Sequence, residues 1–306
     1  MEASDLPIGD NVRFAIAVIL VTNLALSLGD AAIKHISASF VLWQIFVLRS
    51  IIAIPVLIAI IRLRAGAVPM MPRRVGWVAA RSLMLTFMWV AYYAALPHLE
   101  LGIAAATYYT LPIFIALFAA IFIGERITAL GWSAIALGFI GVLLILKPEA
   151  EGFNAYALLP LVSAILYALA MILTRTKCRD EHPLILSFSL NVSFIVIGLL
   201  ATLLIAATGA GVDGMQGTSF LLGTWSPMGT TQWFSMALLS AATIIGSIGA
   251  AVAYQAGPPA IVAAFDFAYV GFASLWGVLF FAEVLDATTI IGMALIVVSG
   301  VLAVRR

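Results

Sequence analysis

Two apolar runs in this sequence end in the same way, on a glutamate that follows a small residue. Phe122–Ile127 reads FIGERI, and Phe280–Leu285 reads FFAEVL. Glu283 follows Glu125 by 158 positions (283 − 125) in a chain of 306 residues. One such ending therefore falls in each half of the chain, which indicates an internal duplication.

The likeness extends backwards from both glutamates. Residues 104–125, AAATYYTLPIFIALFAAIFIGE, align with residues 262–283, VAAFDFAYVGFASLWGVLFFAE. With one residue of slip, GVLLI at Gly141 aligns with GVLAV at Gly300. The two glutamates therefore mark equivalent points in two repeats.

The composition excludes a water-soluble domain. Hydrophobic residues make up 64% of the chain and charged residues 9%, and the mean hydropathy is +1.17. Soluble domains carry roughly a quarter charged residues, so the main solvent of this chain must be lipid. A net charge of +1 indicates no nucleic-acid partner. Cys178, the single cysteine, excludes an intramolecular disulfide and a cysteine metal cluster.

Ten segments are apolar enough to cross a membrane, each near the roughly 20 residues that a span needs. Most of the connections between them are very short, so neighbouring helices should be antiparallel. Pro55 and Pro112 are predicted to interrupt the second and fourth segments. The predicted spans are 13–34, 40–61, 75–96, 101–123, 127–146, 154–175, 184–208, 231–254, 259–282 and 287–304.

Basic residues orient these spans in the membrane. With the N-terminus inside, only Lys34 and Lys147 fall on the external side, and Arg49 and Arg81 fall within spans. Lysine and arginine concentrate in cytoplasmic loops, so both termini are predicted to be cytoplasmic. The basic residues assigned to the cytoplasmic side are Arg13, Arg62, Arg64, Arg73, Arg74, Arg126, Arg175, Lys177, Arg179, Arg305 and Arg306.

The same orientation makes the two repeats inverted. Span four would run from outside to inside and span nine from inside to outside, although their sequences align. We therefore predict an all-α integral membrane protein of ten transmembrane helices in two inverted five-helix repeats, residues 1–150 and 151–306. Inverted repeats with a site at their interface are a common plan of secondary transporters.

These features resemble the drug/metabolite transporter superfamily, and within it the EamA-type ten-helix exporters. The resemblance covers nearly the whole chain and rests on Gly124–Glu125 and Ala282–Glu283, each followed by a helix ending in Gly-Val-Leu. Ala282 departs from the glycine of the pattern. As a whole the sequence is similar to YddG-type amino-acid exporters. The resemblance implies export of small metabolites, above all aromatic or other neutral amino acids, by alternating access from a cytoplasmic membrane.

Polar residues on one face of a membrane helix mark the protein interior. Serine and threonine can instead bond their own i−4 carbonyl, and tryptophan and tyrosine can anchor helix ends at the interface. The resemblance implies a cavity lined by spans one, three, four, six, eight and nine. The residues predicted here to line a substrate cavity are Asn23, Ser27, Trp89, Tyr92, Tyr93, Tyr108, Ser163, Tyr167, Thr243, Ser247, Asp266 and Tyr269.

Asp266 is the sharpest of these signals, because an unpaired carboxylate inside a membrane is expensive. Three roles compete: a proton site, an ion pair with Arg49 or Arg81, and a ligand for a substrate ammonium group. The ion pair is the favoured interpretation. A local pair of Asp30 with Lys34 is also expected from their i,i+4 spacing. Glu125 and Glu283 are expected to be structural, pairing with arginines or free amides.

Other functional classes leave little trace in the sequence. There is no nucleotide-binding glycine-rich loop and no HExxH metal motif. An integral-membrane enzyme acting on a lipid phosphate is the alternative of another class, and a transporter for a sugar, nucleoside or drug is the alternative of the same fold. No catalytic residue, metal, cofactor or obligate protein partner is predicted. The expected partners are a small-molecule substrate and the lipid bilayer.

Overall fold

A computed structural model describes residues 11–36, 39–63, 71–124, 128–146, 154–209, 219–266, 268–283 and 286–304. Every regular element in these ranges is helical, which confirms the predicted all-α class. The α-helices are α1 (Val12–Ile36), α2 (Leu42–Leu63), α3 (Val75–Ala95), α4 (Leu101–Tyr108), α5 (Leu111–Phe118), α6 (Ala129–Leu146), α7 (Leu158–Thr176), α8 (Pro183–Thr208), α9 (Ser219–Leu222), α10 (Thr230–Ala256), α11 (Pro259–Asp266), α12 (Ala268–Phe281) and α13 (Ala287–Val304).

Six of the described helices are long and apolar enough to cross a membrane by their length and composition. Shorter apolar helices cover Leu111–Ile123, Ala268–Phe281 and Ala287–Ser299. The molecule is thus a multi-pass membrane protein, whereas the count of ten spans stays a prediction. The six long spans are Val12–Ile36, Leu42–Leu63, Val75–His98, Ala155–Thr176, Pro183–Thr208 and Thr230–Ala256.

The two prolines expected to interrupt helices behave differently. The fourth predicted span does break, because α4 ends at Tyr108 and α5 begins at Leu111, immediately before Pro112. Proline has no N–H to donate and its ring crowds the preceding turn. The expected interruption at Pro55 is wrong, since α2 continues through it for 22 residues. Packing by neighbouring helices makes such prolines tolerable within membrane helices.

Each half of the chain packs mainly against the other half. The most extensive contacts join α1 to α10, α3 to α7, α2 to α8 and α6 to α13. Small residues permit the close approach, as is usual between membrane helices. A Cβ atom at Gly198 of α8 would lie 2.8 Å from Val47 Cγ2 of α2. The interior of the bundle is therefore lined by side chains from both halves.

A charged contact ties together three helices at one end of the bundle. Glu283 Oε1 pairs with Lys34 Nζ at 2.7 Å and accepts a hydrogen bond from the Leu101 amide at 2.9 Å. Lys34 Nζ also donates to the carbonyl oxygen of Leu99 at 2.8 Å. We call these four residues the end clamp. The expected pair of Lys34 with Asp30 is wrong, because the lysine, at the last turn of α1, reaches α12 and the start of α4 instead.

The backbone just before the two glutamates adopts the same unusual conformation in both halves. Gly124 has φ of 79° and Ala282 has φ of 52°. Ala282 is the one non-glycine residue with positive φ in the described ranges. An L-residue with a Cβ is strained there, so the alanine that departs from the pattern occupies a position suited to glycine. Glu125 lies outside the described residues.

Candidate functional site: a tyrosine cluster between the two halves

Seven of the eight tyrosines gather in the interior of the bundle. Neighbouring rings lie with centroids 4.9 to 6.2 Å apart and form one continuous set, which Trp89 extends by stacking on Tyr93 at 4.9 Å. Tyrosine in membrane proteins usually sits at the lipid–water interface, so this burial is unusual. The tyrosine cluster comprises Tyr92, Tyr93, Tyr108, Tyr109, Tyr167, Tyr254 and Tyr269, all 7% exposed or less.

Asp30 of α1 is held by hydroxyl groups of this cluster. Tyr93 donates to Asp30 Oδ1 at 3.1 Å, and Tyr269 donates to Oδ2. The hydroxyl oxygens of Tyr92 and Tyr269 are 3.2 Å apart. Because Tyr269 uses its proton on Asp30, Tyr92 is the donor in that pair. Tyr93 from the first half and Tyr269 from the second are thus joined through one carboxyl group.

Arg49 of α2 lies on the other side of the Tyr93 hydroxyl. Its Nη1 is 3.5 Å from that oxygen, and its Cζ lies 4.8 Å from the Phe46 ring centroid and 4.5 Å from that of Phe194. Aromatic faces stabilise a guanidinium that has lost its water. Nε and Nη2 of Arg49 have no hydrogen-bond partner in the described part of the chain. A buried cation and a buried acid, Asp30, therefore face each other across one tyrosine hydroxyl.

Asp266, at the end of α11, does not pair with an arginine. Its Oδ2 accepts a hydrogen bond of 2.5 Å from the Tyr254 hydroxyl of α10. Asn23 of α1 donates to its backbone oxygen at 3.2 Å. The favoured ion pair is therefore wrong. Arg49 is instead held among aromatic rings, and Arg81 donates through Nε to Thr174 Oγ1 at 2.6 Å.

Comparison with known proteins finds transporters that are similar to this chain. Residues 13–147 match the EamA-like transporter family. The pseudopaline exporter CntI of Pseudomonas aeruginosa is 25% identical over 95% of both chains. The riboflavin transporter of Rhizobium johnstonii is 31% identical over 71% of this chain and 65% of its own. These matches support the drug/metabolite transporter superfamily.

Two further similarities agree with this placement. The S-adenosylmethionine uptake transporter of Rickettsia conorii is 27% identical over 39% of this chain and 40% of its own. A protein crystal structure superposes over 97% of this chain and 99% of its own with a TM-score of 0.68, at 17% identity, and supports the fold. The chain is therefore a small-metabolite transporter and not an enzyme.

Several predicted cavity residues of the transporter lie outside the tyrosine cluster. Thr243 and Ser247 donate to carbonyls four residues earlier in α10, as the packing alternative anticipated. Ser163 of α7 donates to the Met88 carbonyl of α3 at 2.9 Å. Ser27 accepts from the Trp276 indole at 3.0 Å. Ser163 and Ser27 therefore join helices, whereas Tyr108 lies within the cluster and donates towards Met88 Sδ at 3.9 Å.

Four residues at the centre of the transporter were missing from the predicted set: Asp30, Arg49, Tyr109 and Tyr254. The sequence held a partial signal, because adjacent tyrosines occur at 92–93 and again at 108–109. Tyr109 follows the end of α4 at a bend, and helix periodicity does not define where its ring points. In the described residues, no three His, Cys, Asp or Glu side chains gather as a metal site would require.

Proposed function

We propose that this transporter carries small amphoteric metabolites of the amino-acid class, above all aromatic or other neutral amino acids. The observation that carries the proposal is the combination of Asp30, Asp266 and Arg49 within one buried tyrosine cluster. Carboxyl groups and aromatic faces bind an ammonium group, and a guanidinium binds a carboxylate. Tyrosine and tryptophan rings supply an apolar surface for the rest of the solute.

The residues assigned to this path are the cluster itself with Trp89, Asn23, Ser27 and Asp266. A carrier of this kind works by alternating access, and the helices that surround the cluster move while the site stays between them. Export from the cell is the direction that the family resemblance favours. A sugar, nucleoside or drug is the second candidate, since relatives are named for riboflavin and S-adenosylmethionine as well as for pseudopaline.

The same proposal includes ten spans in two inverted repeats, residues 1–150 and 151–306. Helix contacts support it, because replacing each helix by its counterpart in the other half converts one packed pair of helices into another packed pair. The α1–α10 pair exchanges with α7–α3, and α1–α12 exchanges with α7–α5. The α2–α8 and α6–α13 pairs map onto themselves. Both α4 and α11 have eight residues, and their first residues, Leu101 and Pro259, are 158 positions apart (259 − 101), the offset between the two glutamates.

Flux through liposomes tests the proposed function. Purified protein should accumulate labelled phenylalanine down its gradient, and Tyr269→Phe should slow this flux about tenfold because one charged hydrogen bond at Asp30 is lost. Tyr156→Phe is the matched control, since Tyr156 lies outside the cluster and stacks on His98 at 3.7 Å. Equal flux in both variants, or no flux of any amino acid in a panel, would contradict the proposal.

Labelling from each side of the membrane tests the proposed topology in a cytoplasmic membrane with both termini inside. Burial raises the pKa of the Cys178 thiol and keeps it from reacting, so the native background is low. A cysteine at Thr224 should react with an impermeant maleimide outside intact cells. A cysteine at Asp180 should react only after the cells are opened. The reverse pattern would overturn the orientation.

A further inference from the structure

Arg81 of α3 is buried with four of its five guanidinium N–H donors unused. It is 0% exposed, and its Nη1 and Nη2 have no hydrogen-bond partner in the described part of the chain. Among the described residues no acidic side chain forms a salt bridge with it. An isolated cation in a membrane interior is costly, and such residues commonly mark solute pathways.

The guanidinium is held in one orientation by a completed hydrogen-bond chain. Arg81 Nε donates to Thr174 Oγ1 of α7, and the threonine hydroxyl donates in turn to the Ala170 carbonyl at 2.8 Å. This arrangement fixes the plane of the guanidinium and leaves the Nη1–Nη2 edge free. Two parallel N–H groups on such an edge match the two oxygens of a carboxylate.

Arg81 lies between a basic surface and the tyrosine cluster. It is six residues into α3, about 9 Å from the helix start, and Thr174 is two residues from the end of α7. Basic side chains at that end of the bundle include Arg73, Arg74, Arg175, Lys177 and Arg179. A surface of one sign raises the local concentration of anionic solutes.

Acidic groups at the same end are already engaged. Glu181 accepts from the Arg73 and Arg74 amides at 3.1 and 2.7 Å, and Asp180 lies 3.9 Å from the Arg74 guanidinium. In the other direction, Tyr167 lies two turns before Thr174 on the same face of α7. Tyr167 is within electrostatic range of both Arg81 and Asp266. Arg81 therefore adjoins the edge of the cluster nearest to the basic end.

We propose that Arg81 binds the carboxylate of a transported solute, as the first anion site on the path from the basic end into the tyrosine cluster. The inference rests on the proposed function and deepens it, since it assigns a binding residue to the carboxylate of the solute. Arg49 differs, because rings enclose its guanidinium and the Tyr93 hydroxyl links it to Asp30. Arg81 has no such rings or link to an acid, so its Nη1–Nη2 edge is open to a solute that then passes on to Arg49 in the cluster.

A pair of matched probes tests this assignment. We would measure binding of 3-phenylpropionate and of its neutral isostere 3-phenylpropionamide to the full chain in lipid nanodiscs. The parent should prefer the carboxylate, and Arg81→Gln should weaken carboxylate binding about tenfold or more while amide binding is unchanged. Arg81→Lys keeps the charge without the planar guanidinium, so its carboxylate affinity should lie between those of the parent and Arg81→Gln. Ser82→Ala, one position along the helix, should match the parent.

Two results would overturn the inference. One is a binding preference that does not depend on Arg81: either Arg81→Gln prefers the carboxylate over the amide as strongly as the parent does, or the parent has no preference. The other is a fall in the melting temperature of unliganded Arg81→Gln as large as that of Glu283→Ala, since loss of a side chain with one neutral partner and no internal counter-charge should cost the fold little. If folding of Arg81→Gln fails, an unchanged preference in Arg81→Lys also overturns the inference.

The two proposals fail in different ways. Absent phenylalanine flux together with an Arg81-dependent carboxylate preference would contradict the amino-acid function and leave the anion site. Normal phenylalanine flux with a carboxylate preference that survives Arg81→Gln would leave the function and remove the site.

Discussion

Different groups satisfy the buried acidic side chains of the end clamp and of the tyrosine cluster. At the end clamp, Glu283 meets a full opposite charge, the Lys34 ammonium, and a free helix amide. In the tyrosine cluster, Asp30 and Asp266 meet neutral hydroxyls of Tyr93, Tyr269 and Tyr254. The first arrangement is closed, since every charge has an internal counter-charge.

The second arrangement leaves charge available to a ligand. A hydroxyl stabilises a carboxyl group without neutralising it, so an ammonium group of a solute can still gain from the same carboxyl group. The same logic applies to Arg49 and Arg81, whose partners are neutral oxygens and rings. The contrast teaches that direct ion pairs in this fold hold helices together, while charges satisfied by hydroxyls are the candidates for transport.

The largest expected effect is at the end clamp. Glu283→Ala removes the carboxylate that pairs with Lys34 and accepts from the Leu101 amide, so the free energy of unfolding should fall by about 3 kcal/mol. Unfolding in mixed detergent measures it. Asp180→Ala is the control, because the Arg74–Asp180 pair is long and its side chains are 50% and 71% exposed. That variant should stay close to the parent. Equal losses in both variants would remove the distinction between the two regions.

A smaller effect is expected in the tyrosine cluster. Tyr254→Phe leaves the Asp266 carboxyl without its hydroxyl donor, and unfolding should become easier by about 2 kcal/mol. Asp266→Asn should cost less, since Tyr254 can still donate to the amide oxygen. The two variants can be compared by thermal unfolding in one detergent. A loss of several kcal/mol in Asp266→Asn would mean that a cation pairs with Asp266 after all.

The smallest effect concerns the backbone that positions Glu283. Ala282→Gly removes a Cβ from a residue with positive φ and should stabilise the protein by about 0.5 to 1 kcal/mol. Ala136→Gly, on an exposed face inside α6, is the matched control and should destabilise it by a similar amount. The two melting temperatures should move in opposite directions. A destabilised Ala282→Gly variant would show that the clamp does not strain its own backbone.

Local features of the sequence predicted the helical part of this molecule well. The predicted span 75–96 corresponds to Val75–Ala95, and the predicted span 184–208 corresponds to Pro183–Thr208. Hydrophobicity over about 20 residues is a strong signal because lipid forces every backbone group to bond within its own helix. Pro112 likewise marked the break between α4 and α5. The family resemblance followed from the same local patterns.

Side-chain partners depended on contacts that the sequence does not contain. A spacing of four residues predicted an ion pair of Asp30 with Lys34. The scarcity of cations within the spans predicted an ion pair of Asp266 with an arginine. Both predictions were wrong. The partners that form are distant in sequence: Lys34 with Glu283, 249 positions away, and Asp30 with Tyr269, 239 positions away. One helix restricts its residues to a face, but it does not specify which helix packs on that face.

The sequence by itself determined that the chain lies in a membrane and that it is helical. Those properties follow from transfer of single segments and side chains between water and lipid. Only the tertiary structure decided that seven tyrosines meet in one cluster, that hydroxyls satisfy its carboxyl groups, and that Arg81 keeps two unpartnered nitrogens. The physical reason is that each of these depends on how helices from both halves pack together, and a hydrogen bond forms only when that packing brings donor and acceptor within about 3 Å.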